Sequence, residues 1–470
     1  MLTLKHILKA LAVEAYVSSD FAITRGVVDS RCVEKGDLFI AMPGENTDGH
    51  LFVDRAFKSG AVLALVEHPF ESAYPIVDIH AQPLDLPSKA PFSLLVPNAL
   101  KALQTIAAYW RNQFDLHVIG ITGSVGKSST KELTASVLSH RFFTLKNPGN
   151  MNNEVGLPLT LLSLNEDHEV AVLEMGFYVP GDIKLLCDIA RPEIGVVTNI
   201  GTVHAERAGS MEDIAKGKAE LVQSLPASPR GVAILNHDDP FVKAMSEKTA
   251  ARPFYYGLNP DADLWADEIE SHGLDGLRCR IHYAGESVYL TAPLIGRHSV
   301  YTILRSAAVA LTLGISWDWI FEALKNTKIQ LRVVTSRTAT GALLIDDTYN
   351  ASPDSTMAAL NLLNDLKGRK IAVLGDMLEL GRYEAEGHIN VGIRASEVAD
   401  ELVLVGERSK LTQKAALSND FPAGKIHWFP SAPEAALFLA SQLKEGDIAL
   451  VKGSRSMRME QIISQLEEVR

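Results

Sequence analysis

The sequence predicts an α/β chain of about three domains, two of them built on parallel sheets, and three observations carry that prediction. At 470 residues the chain is long for one hydrophobic core and suits about three. Short apolar runs alternate with helical patterns through 118–199 and again through 343–451, as parallel strands joined by helices do. Within His117-Val-Ile-Gly-Ile-Thr122-Gly123-Ser124-Val125-Gly126-Lys127-Ser128-Ser129, an apolar run breaks into glycines and resumes as a helical pattern.

Composition narrows the class. With 47% hydrophobic and 22% charged residues the chain is ordinary for a soluble globular protein. Cys32, Cys187 and Cys279 are odd in number and far apart, which argues against a disulfide framework or zinc site and for a reducing compartment. All three read as packing residues. No stretch approaches eighteen uninterrupted apolar residues, and Lys5, Lys9 and Glu14 break the first apolar pattern. A cytoplasmic chain without membrane insertion is expected. A net charge of −12 disfavours a nucleic-acid surface, so any phosphate site must be a local device.

Residues 1–97 read as a small α/β domain: a helical start, two polar loops around Asp29-Ser30-Arg31 and Pro43-Gly-Glu-Asn46-Thr-Asp-Gly-His50, a helical pattern over 52–59 and a buried-strand run over 61–66. Loops of this composition beside strands suit a polar ligand, and they equally suit ordinary turn chemistry. The Pro-containing stretch 84–97 reads as a linker into a helix over 99–114.

The central domain, 98–330, takes its function from the glycine-broken run. Gly123 and Gly126 let successive N–H groups and the following helix N-terminus point at one anion. Lys127 would reach the β- and γ-phosphates of a nucleotide and the Ser128 hydroxyl a Mg²⁺ ion. The full phosphate-loop pattern has one more glycine, where this chain has Ile121. Strands are expected at 118–122, 169–175 and 194–199, with ligands at their carboxyl ends. Glu174 follows three apolar strand residues, where an unpaired buried carboxylate is costly, so it reads as a Mg²⁺ ligand, with a salt bridge or helix cap as the alternative. His204 and Lys218 follow the third strand, and spacing alone gives them no role. Residues 231–292 read as an antiparallel appendix to the sheet. A long helix opens after Gly296, and Trp317 and Trp319 read as packing residues.

Residues 331–470 predict a doubly wound sheet with strands at 343–346, 371–375, 402–405 and 448–451. No Gly-x-Gly-x-x-Gly follows its first strand, so a dinucleotide cofactor is not indicated. Polar residues again gather at strand ends, in Asp346-Asp347-Thr-Tyr-Asn350, Gly375-Asp-Met-Leu-Glu-Leu-Gly381 and Lys452-Gly-Ser454-Arg455-Ser456.

Those blocks, with Thr122-Gly-Ser-Val-Gly-Lys-Ser128, Asn152-Asn153-Glu-x-Gly156, Glu174-Met-Gly176, Thr198-Asn-Ile-Gly-x-x-His204 and Lys218-Ala-Glu220, resemble the Mur ligases of peptidoglycan synthesis, across all three domains in order. The resemblance implies a UDP-substrate-binding domain, a P-loop ATP-binding domain and a Rossmann-like ligase domain. It implies an ADP-forming ligase in which ATP phosphorylates a peptide carboxylate and an amine attacks the acyl phosphate. Its Gly375–Gly381 and Lys452–Ser456 blocks are similar to the branch that joins D-alanyl-D-alanine to a UDP-N-acetylmuramoyl-tripeptide. The implied roles follow by position. Thr122 to Ser129, Arg332 and Asp347 would hold ATP. Ser128 and Glu174 would hold one Mg²⁺; His204 and a carbamylated Lys218 would hold a second. Asp29, Ser30, Arg31, Asn46 and His50 would lie near the UDP moiety, and Asn152, Asn153, Ser454 and Arg455 toward the rest of the substrate. A monomer is expected. The family's helix-start asparagines are Ser299 and Thr302 here, the second expected at the adenine, and Ser352 stands where the family has another asparagine. Alternatives are a ligase acting on the UDP-muramoyl dipeptide, whose Asp-Asn-Pro-Arg loop is absent here, a folylpolyglutamate-synthetase-like ligase, and a P-loop ATPase switch.

Overall fold

The computed structural model describes every residue except 45–46, 82–83, 204, 326–333 and 468–470. Asn46, His204 and Arg332 therefore lie outside the described residues. The chain is α/β throughout and divides into two compact units, one of residues 1–120, 141–176 and 181–194, the other of 121–140, 177–180 and 195–470.

In the first unit a five-stranded parallel sheet runs in the order Gly26–Val27, Leu38–Ile40, Leu63–Val66, Phe92–Leu95, Ile76–Asp78. Its strands are continuous apolar runs because helices cover parallel sheets, and Phe39, Ala64 and Val66 pack against Val53, Ala56 and Phe57 of the helix Val53–Ser59. Gly60 ends that helix at φ +119°, where a Cβ would stand 2.9 Å from the Lys35 Cα. Only glycine fits there. The stretch read as a linker contains Phe92–Leu95, an inner strand of this sheet. Prolines on both sides hid a strand only four residues long. The helix Ala99–Arg111 is capped by Asn98, whose side chain accepts from the Lys101 N–H at 2.7 Å. Farther on, Thr144–Lys146 pairs in parallel with Val170–Glu174.

The second unit opens with the helix Lys127–Ser139, packed against Ser299–Thr312; the Thr134 and Ser306 hydroxyls meet at 3.0 Å between them. Residues 231–292 differ from the expectation. Val232–Asn236, Arg252–Gly257 and Leu264–Ser271 pair in parallel, and only Leu277–Tyr283 and Glu286–Ala292 continue antiparallel. The short helix Pro240–Lys243, capped by Asp239, makes the crossover that parallel pairing needs. Trp317 stacks on Phe321 and meets Tyr283 edge-on, whereas Trp319 is exposed and packs no core. Cys187 and Cys279 are buried as expected; Cys32 is exposed, so it is no packing residue.

The last sheet of the second unit has the order Val334–Arg337, Leu343–Asp347, Asp447–Lys452, Arg369–Gly375, Glu401–Val405, Ile426–Phe429, parallel except at its first edge. Cores lie on both faces, as double winding requires. Among the described residues no helix is long and apolar enough to cross a membrane.

Candidate active site

The phosphate loop is built by its neighbours as much as by its glycines. Gly123 lies at φ +141° with Thr198 so close that a Cβ would sit 1.8 Å from the threonine oxygen. Asn199 takes the next two amides, its carbonyl accepting from Ser124 N–H at 2.9 Å and its side-chain oxygen from Val125 N–H at 2.8 Å. Thr198 Oγ1 donates to the Val125 carbonyl at 2.7 Å, and Ser124 Oγ accepts from Gly201 N–H at 2.8 Å. The strand end 198–201 thus fixes the loop's curl. Gly126, at φ +84°, caps the helix that begins at Lys127 and carries Ser128 and Ser129 in its first turn.

Two lysines converge on one carbonyl. Lys127 Nζ donates to the Gly123 oxygen at 2.8 Å and to the Ser124 oxygen at 3.1 Å, and Lys218 Nζ donates to the same Gly123 oxygen at 3.0 Å. Lys218 is 1% exposed and lies 4.7 Å from the Phe177 ring centre. Burial, and then the neighbouring Lys127 charge, hold its ammonium well below the usual lysine range. A neutral buried amine is the form that reacts with CO₂. Among the described residues no carboxylate makes an ion pair with it.

In the first unit Glu174 ends its strand 2% exposed. The Asn147 side chain brackets its backbone, donating to its carbonyl at 3.0 Å and accepting from its N–H at 2.9 Å. Asn152 Nδ2 donates to Oε1 at 2.9 Å, and Oε2 is buried with no hydrogen-bond partner among the described residues. Such an oxygen suits a cation. The two asparagines read as substrate positions have local tasks, Asn152 on this carboxylate and Asn153 capping a turn through Gly156 N–H at 2.8 Å.

The N-terminal candidates are paired already. Arg31 binds Asp29 through Nη2 at 2.7 Å, and those hydrogen bonds hold the Asp29 carboxyl down at about 2; Ser30 between them is buried. His50 is also buried, with Nδ1 2.6 Å from Asp48 Oδ1 and Nε2 accepting from Glu67 N–H at 2.8 Å. His68 stacks on it at 4.0 Å, but with both His50 nitrogens engaged the Asp48–His50–His68 cluster leaves that ring no lone pair for a metal.

At the strand ends of the last sheet, Lys452 Nζ meets Asp347 Oδ2 at 2.6 Å and the Asn350 carbonyl at 2.9 Å. Ser454 Oγ accepts from Leu378 N–H at 2.8 Å while its own N–H donates to the Asp376 carbonyl at 3.0 Å, which joins the two blocks the sequence singled out. Arg455 lies over the Tyr349 ring at 5.5 Å. Ser352 caps the helix Pro353–Asp365.

A cavity of about 390 Å³ gathers the pieces of the second unit. Ser124, Gly126 and Ser129 line it together with Asp347, Asp354 and Lys452. Its wall also includes residues the sequence reading missed, Asn236, Asp238, Asp239 and Arg305. The first three lie at or just after the end of the strand Val232–Asn236, a signal that was available; Arg305 sits within an apolar helix and offered none. The Asp354 carboxyl is pushed up from its ordinary value by burial and then by the Asp239 charge.

Comparison with known proteins agrees with this architecture. Residues 23–111 match the family model described as "Mur ligase family, catalytic domain", residues 121–310 the "Mur ligase middle domain", and residues 331–455 the "Mur ligase, glutamate ligase domain". The UDP-N-acetylmuramoyl-tripeptide–D-alanyl-D-alanine ligase of Synechocystis is 36% identical over 96% of this chain and 93% of its own, and the Escherichia coli ligase of that name is 32% identical over 96% and 95%. The crystal structure of MurF from Acinetobacter baumannii superposes with a TM-score of 0.85 at 31% identity, covering 99% of this chain and 98% of that one. MurF ligase from Thermotoga maritima, solved in complex with ADP, gives 0.79 at 28% identity over 94% and 96%. Because the family's three segments occur here in order and the likeness to its members runs nearly end to end, the chain belongs to the Mur ligase family.

Proposed function

We propose that this chain is an ATP-dependent, ADP-forming ligase that joins D-alanyl-D-alanine to UDP-N-acetylmuramoyl-tripeptide in the cytoplasmic synthesis of peptidoglycan precursors. The observation that carries this reading is its likeness, over at least nine-tenths of both chains, to the Synechocystis and Escherichia coli ligases of that name. The cavity supplies the chemistry. A peptide carboxylate attacks the γ-phosphorus of ATP, ADP leaves, and the dipeptide amine then displaces phosphate from the acyl phosphate, giving an amide and releasing one proton. Lys127 is positioned by two loop carbonyls to neutralise the transferring phosphoryl group. Asp347 and Lys452 line the same cavity, which supports a part for the ligase domain at the nucleotide.

The site assignments belong to the same proposal, as does a division into domains 1–97, 98–330 and 331–470, which the family spans support. Ser128 and Glu174 are read as ligands of one Mg²⁺, with the unpartnered Glu174 oxygen in favour. Lys218, its ammonium held well below the usual lysine range, would add to CO₂ as the free amine and lose a proton to become a carbamate, an anion that with His204 would hold a second. Bound there, Mg²⁺ supplies neutralisation of the phosphate oxygens. Asp29 to Arg31 and His50 are read at the UDP end, and Ser454 and Arg455 at the peptide end.

Phosphate release from ATP tests the reading. Turnover is expected only with UDP-muramoyl tripeptide and D-alanyl-D-alanine together. Turnover with UDP-muramoyl dipeptide and a diamino acid, and none with the first pair, would refute it.

A further inference from the structure

The helix Ser299–Thr312 carries, among alanine, leucine and valine, a single arginine that points inward. Arg305 is 4% exposed and lines the cavity beside the phosphate loop. Side chains lean toward a helix's N-terminus, and this one reaches back one turn, where Nη2 donates to Thr302 Oγ1 at 3.0 Å. From there the guanidinium lies against the loop itself. A Cβ on Gly126 would stand 3.0 Å from Nη2 and 3.6 Å from Cζ. The Tyr256 ring lies on another side, 5.8 Å from Cζ.

Among the described residues the charge is unmatched: Nε is buried with no hydrogen-bond partner, and Arg305 makes no ion pair. Four carboxylates line the same cavity, Asp238, Asp239, Asp347 and Asp354, and none is ion-paired with Arg305; Asp347 is taken by Lys452, and Asp238 and Asp239 are engaged elsewhere. Asp238 accepts from Leu258 N–H at 2.6 Å, Asn259 N–H at 3.2 Å and the Tyr301 hydroxyl at 2.9 Å. Asp239 accepts from Ile200 N–H at 2.8 Å, Phe241 N–H at 3.0 Å and Val242 N–H at 3.1 Å. A guanidinium cannot shed its proton to relieve burial, as Lys218 can. It needs an anion, and nothing within the described protein supplies one in contact.

We propose that Arg305 is a phosphate-binding residue of the nucleotide site, its free N–H groups donating to an α- or β-phosphate oxygen of a bound nucleoside di- or triphosphate. The inference rests on the nucleotide reading of the cavity. The N-terminus of the helix Lys127–Ser139 receives the phosphates from one side, and Arg305 receives them from beyond Gly126 with a donor fork suited to a phosphate edge. Without nucleotide, the buried unpaired cation costs stability. With nucleotide, the same cation is neutralised in a site that water leaves.

Calorimetric titration of the full chain with ATP, ADP and adenosine, in Mg²⁺ buffer, tests this with Arg305→Met and Arg305→Gln, the second a polar variant in case the first does not fold. The expected result is a loss of about 10- to 100-fold in affinity for ATP and ADP with adenosine affinity unchanged, while the ligand-free variant melts at or above the wild-type temperature. An equal loss for adenosine and ADP would make Arg305 a base contact and overturn the proposal. So would unchanged ADP affinity in a variant that melts well below wild type, which is the mark of a packing role. Failure of the wild type to bind ATP or ADP would instead refute the nucleotide reading of the cavity.

Discussion

Two lysines of the second unit are almost equally buried, Lys452 at 2% and Lys218 at 1% exposure, and their surroundings are opposite. Lys452 rests on the Asp347 carboxylate and the Asn350 carbonyl, a charge pair complete in the protein alone. Lys218 has a carbonyl that it shares with Lys127, and an aromatic ring. The first arrangement holds loops together. The second sets a buried amine beside another cation with no carboxylate in contact among the described residues, and this contrast is what the carbamate proposal rests on.

The sharpest break of this contrast removes the neighbour. Lys127→Ala is expected to lower kcat by at least about 10³-fold, since the lost interaction is made with charge in the transition state. Circular dichroism should show an intact fold; unchanged turnover in a folded variant would refute the loop assignment.

Lys218→Ala should lower turnover by at least about 10²-fold. Small carboxylic acids should restore part of it by returning the missing oxygens. Urea unfolding should meanwhile show stability close to wild type, because no buried partner is stranded. A variant with full activity would make Lys218 a packing residue.

Lys452→Met inverts that pattern. It leaves the Asp347 carboxylate without its cation, and truncating one partner of a buried pair costs about 3–5 kcal/mol. Urea midpoints read this directly. A midpoint unchanged from wild type would mean that Asp347 is satisfied by water and that the two lysines are less different than they look.

The smallest effect belongs to the exposed pair. Asp29 has its pKa lowered to about 2 by Arg31, so its contribution to stability is present above the ordinary carboxylate value and is lost as pH falls through about 2. In Arg31→Ala the Asp29 carboxyl should titrate, by NMR, near the ordinary aspartate value, with no measurable change in melting at neutral pH. An unmoved titration would show that backbone contacts hold it.

What could be read in the sequence was local. The phosphate loop declared itself because glycine, lysine and hydroxyl positions are fixed within a few residues of a strand, and Glu174 because a carboxylate after three apolar strand residues needs a reason to be there. Pairings distant in sequence did not declare themselves. The Pro-flanked Phe92–Leu95 shows its place inside a sheet only beside Leu63–Val66 and Ile76–Asp78. The direction of Arg252–Gly257 depended on a four-residue helix. Nothing in the sequence shows that the Asn152 amide turns to Glu174. Arg305 was silent because one charge in an apolar helix reads as a solvent-facing residue until the fold closes over it.

Under the nucleotide reading proposed above, the cavity bordered by Ser124 and Gly126 on one side and by Asp347 and Asp354 on the other would also set how the second unit responds to its metabolite pool. A ligand that touches both walls ties its own binding energy to their cohesion. At a hundred times its dissociation constant a ligand adds about 2.7 kcal/mol to the state that binds it. Nucleotide supply would then govern how long this enzyme survives proteases as well as how fast it works.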